Sequence, residues 1–149
     1  MPVSSICNHN VATIHPDADL VQAAKRMREA HVGDLVVAEY REGREVPIGV
    51  LTDRDIVVEV VAKAVDPEQI TASDAMSRDV VAVHDDNSID HALQTMQRAG
   101  IRRLPVVDVS GKLIGVLAMD DVIDHLATQL THIAGAIRTE QYIEAKTRP

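Results

Sequence analysis

Aromatic residues are nearly absent. The 149-residue chain has no Phe, no Trp and only two tyrosines, Tyr40 and Tyr142. Proteins that bind single-stranded nucleic acid without sequence preference stack bases on aromatic rings, and this chain has almost none to offer. Basic residues are outnumbered as well, 15 Lys and Arg against 23 Asp and Glu, for a net charge of −8. That field repels a polyanion and argues against a nucleic-acid partner. Cys7 is the one cysteine, which excludes an internal disulfide and fits a reducing, cytoplasmic setting. No apolar run reaches the ~20 residues of a membrane helix. Met1 to Ser5 has neither the basic nor the apolar region of a secretion signal, so neither membrane nor secretory roles are expected. Apolar residues still make up 46% of the chain, enough for a folded core, which must be built from Val, Ile, Leu, Ala and Met.

What the chain does have is a phrase used twice. Gly49-Val50-Leu51-Thr52-Asp53-Arg54-Asp55 returns as Gly115-Val116-Leu117-Ala118-Met119-Asp120-Asp121. In the first copy an apolar, β-branched run ends at Thr52, a good helix N-cap. Asp53 and Asp55 then fall in the first helical turn, where the helix dipole favours carboxylates. The duplication extends far beyond the phrase. Val11/Val80, His15/His84, Ala23/Ala92, Met27/Met96 and Leu35/Leu104 match at one offset of 69, which drops to 66 at the motif because the first hairpin is three residues longer.

Each repeat reads as strand, helix, strand, strand, helix. In the first, 11–14 is a brief strand stopped by His15-Pro16. Leu20, Ala23, Ala24, Met27 and Ala30 recur at helical spacing, with Asp17 or Asp19 as the cap. A buried strand over 35–38, a charged loop over 40–46 and a helix over 53–63 follow. The β-branched run Ile56-Val57-Val58 is poor helix material, but the cap favours helix. The domains expected are 3–71 and 72–135, with a helical tail over 136–149 that extends the last helix through Leu126, Leu130, Ile133 and Ile137.

The order of elements, the Gly-hydrophobic-hydrophobic-Thr-x-x-Asp ending and the run Ile101-Arg102-Arg103-Leu104-Pro105-Val106-Val107-Asp108 resemble the CBS domain family. Two such domains in tandem form a Bateman module, and small stand-alone prokaryotic members are the nearest match. The resemblance implies an α/β (α+β) fold of two pseudo-symmetric repeats, each a small sheet packed with two helices. It also implies a homodimer, formed through the stripes Ile56, Val57, Val60 and Val122, Ile123, Leu126. The implied ligand is an adenine nucleotide such as AMP, ADP or ATP, held in clefts between the repeats and signalling to a separate protein partner.

Carried over by residue, the resemblance gives two unequal clefts. The first takes Thr13 and Ile14 from the strand, Thr52 and Asp55 from the motif, and Arg102 and Arg103 from the facing repeat. A carboxylate suits vicinal ribose hydroxyls, a threonine at a helix start suits an anionic oxygen, and guanidinium forks suit phosphate. The second cleft takes Ala82, Val83 and Asp121, with Ala118 in place of Thr52 and with Gly33 and Asp34 where the arginines should be. It is expected to be weaker, empty or suited to an uncharged nucleoside.

Plainer roles stand beside these. Asp55 and Asp121 also serve as first-turn carboxylates, and Arg102 and Arg103 also suit pairing with Asp108 and Asp120. Of the seven histidines, His125 and His132 share a helix face but have no third ligand. His15 and His84 are equivalent fold positions, and Cys7 aligns with Met76 as a packing position. There is no P-loop, dinucleotide fingerprint or nucleophile elbow, so no enzyme and no required cofactor are expected. The competing reading is a ligand-free dimerisation or scaffold domain.

Overall fold

The structure, a computed structural model, describes residues 1–148. Two three-stranded sheets repeat one topology. In the first, β1 (Thr13–Ile14) runs parallel to β2 (Asp34–Arg41), which is antiparallel to β3 (Arg44–Thr52). In the second, β4 (Val83–His84), β5 (Arg103–Val107) and β6 (Leu113–Ala118) pair in the same way. A register shift falls at the same place in both, between Val37 and Ala38 and between Val106 and Val107. The α/β fold of two pseudo-symmetric repeats is therefore as the sequence implies.

The crossover helices α1 (Leu20–Ala30) and α4 (Ile89–Ala99) start at side-chain caps. Asp19, rather than Asp17, caps the first: it accepts from the amide of Gln22 at 2.8 Å while Gln22 accepts from the amide of Asp19 at 3.2 Å. Such reciprocal capping satisfies two free amides at once.

The lead-in of each repeat docks on the other one. Val3 and Ser4 donate backbone amides to Asn87 and Asp85, and Asn8 exchanges two bonds of 2.9 Å with Val116. Equivalently, Ala72 donates to Ala18 and Ser77 donates to Val50. Val3 and Cys7 thus sit in the core formed by Met96, Leu104 and Leu117, while Ala72 sits in the core of Leu20, Leu35 and Leu51. This crossing explains the motif glycines. A Cβ at Gly49 would lie 2.7 Å from the carbonyl oxygen of Ser77, and one at Gly115 would lie 2.7 Å from the Cys7 sulfur.

Three local expectations are corrected. The charged stretch 40–46 is mostly strand: only Glu42 and Gly43 turn, with φ of 52° and 77°, and a two-residue turn with both φ positive matches strand twist and keeps the ladder intact to Arg41 and Arg44. The first motif helix is not a straight α-helix to residue 63. After α2 (Asp53–Ile56) the chain widens into a π turn over Val57–Val61, with Ala62 donating to Val57 at 3.0 Å. Crowded β-branched side chains at Ile56, Val57, Val58, Val60 and Val61 fit this loosening. Finally, Val60 and Val122 are 8% and 1% exposed and belong to the cores, and Ile56 packs against the first core, so the outward apolar positions are Val57, Val58 and Val61 on one repeat and Ile123 and Leu126 on the other.

The second motif helix, α5 (Met119–Thr147), runs unbroken for 29 residues, past the tail boundary expected at 136. No described helix is long and apolar enough to cross a membrane.

Candidate functional site

The lead-in crossing makes two clefts, related by the same pseudo-two-fold as the repeats. One is lined by Val50, Thr52 and Arg54 from the first repeat, and by Ser77, Asp79, Val80, Val81 and Gly100 to Arg103 from the other side. The second is lined by Val116, Ala118 and Asp121, and by Asn8, Asn10, Val11, Ala12, Val32, Asp34 and Val36, with Arg103 reaching in. Most of these are equivalent positions exchanged between repeats, but Arg54, Gly100 and Arg102 line only the first cleft, and Val36 and Asp121 only the second, without their counterparts.

Thr52 is held by its own helix start. Its hydroxyl accepts from the amide of Asp55 at 3.1 Å, and the Asp55 carboxylate accepts from the amide of Thr52 at 2.8 Å. In the other cleft Asp121 likewise accepts from the amide of Ala118 at 2.8 Å. Ala118 has no hydroxyl to return the bond, so an amide of the first turn lacks its cap there.

Charge separates the clefts further. The Thr52 cleft is lined by Arg54, Arg102 and Arg103 and by one acidic residue, Asp79. The Ala118 cleft gathers Asp34 and Asp121 against Arg103 alone. Asp34 and Arg103 are equivalent positions in the two repeats, and they meet: Nε of Arg103 lies 3.0 Å from the Asp34 carboxylate, whose side chain is 11% exposed. Burial pushes the Asp34 carboxyl above its ordinary value. Arg103 pulls it down by less, and Asp53 adds to the rise. Arg102 lies 3.6 Å from Asp120, with both side chains largely exposed, a contact of little energetic weight.

The structure brings together Thr52, Arg102 and Arg103, with Asp55 directly behind Thr52 rather than on the cleft wall. It does not bring Thr13 and Ile14 there. They form β1, opposite Val36 and Val37, and Ile14 packs on the first core. Ala82 and Val83 are likewise absent from the Ala118 cleft, and Val83 is 2% exposed in the second core. The apolar walls come instead from Val80 and Val81 beside Thr52, and from Val11 and Ala12 beside Ala118. Each lead-in delivers these residues while still crossing to its own sheet. Sequence reasoning also missed Arg54 and Asp79. The one hint was that Arg54 sits inside the motif while Asp120, its counterpart, is acidic.

A family model described as CBS domain matches residues 3–62 and 72–128. An uncharacterized protein of Methanopyrus kandleri, MK0525, is 37% identical over 121 residues, covering 81% of this chain and 60% of the relative. Among solved structures, Hypoxic Response Protein I with two coordinated zinc ions is similar at a TM-score of 0.72 and 30% identity, over 84% of this chain and 98% of that one. The CBS domain pair of protein MJ0100, in complex with methylthioadenosine and S-adenosyl-L-methionine, is similar at a TM-score of 0.73 and 23% identity, over 87% and 98%.

Proposed function

The chain belongs to the CBS domain family, and from that premise we propose that it is a non-catalytic regulatory module that senses an adenine nucleotide in the Thr52 cleft and signals to a separate partner. One observation carries this reading: a single cleft is lined by Arg54, Arg102 and Arg103, by a threonine at a helix start and by an apolar wall of Val80, Val81 and Ile101, with Arg103 shared with the other cleft through Asp34. Guanidinium forks bind phosphate through charge-assisted bonds. The apolar wall suits the face of a base. Asp55 fixes Thr52 at the helix start from behind the wall. The ligands of the MJ0100 domain pair, both adenosyl compounds, favour the same class.

Retention rather than conversion fits the side chains present. The Ser77 hydroxyl donates to the carbonyl of Val50 at 3.2 Å, so it is not aligned on a base as a nucleophile would be. No group of three or more His, Cys, Asp or Glu among the described residues has the arrangement of a metal site, so the zinc of Hypoxic Response Protein I is not carried over.

A signal needs a contact that the ligand changes. The Arg103–Asp34 pair is that contact. A phosphate in the Thr52 cleft competes with Asp34 for Arg103, and the pair joins the two repeats. The module acts in the cytoplasm as a homodimer, paired through the exposed Val57 and Val61 and through Ile123 and Leu126.

The test is thermal unfolding of the full chain with AMP, ADP and ATP. A ligand that binds only the folded chain raises the midpoint with concentration, by about 2.7 kcal/mol of stability at 100 times Kd. No shift with any of the three would favour the alternative, a ligand-free scaffold.

A further inference from the structure

Val122 is the last fully buried residue of α5. From Gln129 to Arg148 every side chain is exposed except Ala134 and Gly135, which are half-buried. A helix standing alone over this length is marginal in water, because helices draw most of their stability from a packed face. Its apolar residues are nevertheless in order. Ile123, Leu126, Leu130, Ile133 and Ile137 follow one another at alternating spacings of three and four, and each is 51–66% exposed. That is the seam of a coiled coil, with Leu126 and Ile133 in one set of core positions and the other three in the second. Beyond Ile137 the next seam positions are Glu140 and Glu144, so the seam ends there.

We propose that this seam, Ile123 to Ile137, is an assembly element whose occupant is the same helix of a second copy of this chain. It goes beyond the pairing of modules described above, because Leu130, Ile133 and Ile137 lie outside both matched CBS domains. Two features select a second copy. The residues flanking the seam are Ala127, Gln129, Ala134 and Ala136, without a charge among them. Coiled coils choose a foreign partner largely through charges at these flanks; here a copy meets no like charge. The small alanines also let two such helices approach closely. All five side chains are more than half exposed, so self-pairing would give them the apolar core that the monomer does not.

Sedimentation of the full chain over a concentration series tests this, with far-ultraviolet circular dichroism at each concentration. The wild type is expected to assemble at micromolar concentration and to lose helical signal on dilution. The double substitution Leu130→Lys/Ile133→Lys is expected to weaken self-association by 100-fold or more. Its cooperative thermal unfolding at low concentration should match the wild type, since neither residue touches a core. Val57→Lys/Val61→Lys, which alters only the face of the first repeat, is expected to weaken assembly less. The proposal is overturned if the Leu130/Ile133 variant assembles like the wild type while the Val57/Val61 variant does not, because the module faces alone then hold the copies together. It is equally overturned if the wild type sediments as a 16.2 kDa monomer at micromolar concentration, since the seam then belongs to another partner.

Discussion

The two clefts are built mostly from equivalent positions on the same backbone, yet they hold opposite charge. Arg54 and Arg102 stand around Thr52 with one aspartate, two aspartates stand around Ala118, and Arg103 lines both clefts while paired with Asp34. The fold therefore does not decide what binds. It supplies two helix starts, two apolar walls and two strand entries, and a handful of side chains then make one cleft attractive to phosphate and the other repellent to it. The clearest case is the pair on the pseudo-two-fold itself. A perfectly symmetric chain would place like residues face to face there. This chain places Arg103 against Asp34, so the asymmetry also becomes a bond between the repeats.

The sharpest way to break the comparison is to remove the charge that defines it. Arg102→Ala/Arg103→Ala is expected to weaken ATP binding by on the order of 100-fold, since each charge-assisted bond is worth about 1.5–3 kcal/mol. Calorimetry on the variant checks this, and a loss under threefold would place phosphate recognition elsewhere. Next in size is Gly49→Ala. Its new methyl meets the carbonyl oxygen of Ser77 at 2.7 Å, whereas at Gly115 the nearest atom is the Cys7 sulfur and the backbone oxygen of Asn8 stands off at 3.1 Å. Denaturant unfolding should show Gly49→Ala costing about 1–3 kcal/mol and Gly115→Ala less.

Ala118→Thr would sharpen the comparison by restoring the missing cap. It is expected to stabilise the chain by about 1 kcal/mol, and urea midpoints measure this; no gain would mean that the α5 start is satisfied in another way. The smallest effect comes from Asp34→Asn. Freed from its carboxylate partner, Arg103 should bind phosphate roughly threefold more tightly, well under the effect of a full charge-assisted bond. The same variant tests the electrostatics by pH. The folded-state value of Asp34 is raised, so its contribution to stability is fully present below the unfolded carboxylate value. That contribution is lost as pH rises through the folded value. Asp34→Asn should flatten the stability curve above the ordinary carboxylate range, and an unchanged slope there would contradict the assignment.

Much of this was legible in the sequence because duplication is internal evidence. The copied motif, the offset of 69 and the three-residue difference in the hairpin fixed strand order and helix positions without an outside reference. The placing of Arg102 and Arg103 beside Thr52, and of Asp34 beside Ala118, came instead from the resemblance to the CBS family, with the offset between repeats supplying the second set. The wall residues were not legible. Assigning Thr13 and Ile14 to the Thr52 cleft assumes that each repeat folds on itself, and nothing local in residues 3–8 or 72–77 says that they dock on the opposite repeat. That choice is made by tertiary packing, visible only once Cys7 is found against Gly115 and Met76 against Gly49. The π turn was hidden for a related reason: propensity marked Ile56 to Val58 as awkward helix but could not say how the awkwardness would be relieved. The contrast with α5 is instructive, since the equivalent helix, richer in Ala, Leu and Thr beyond Ile123, continues for 29 residues.

The most direct test of the central claim is a calorimetric titration of ATP into the full chain. Binding at one site per chain is expected, weakened on the order of 100-fold by Arg102→Ala/Arg103→Ala and retained in Asp121→Ala. Two equivalent sites per chain, or equal losses in the two variants, would contradict it.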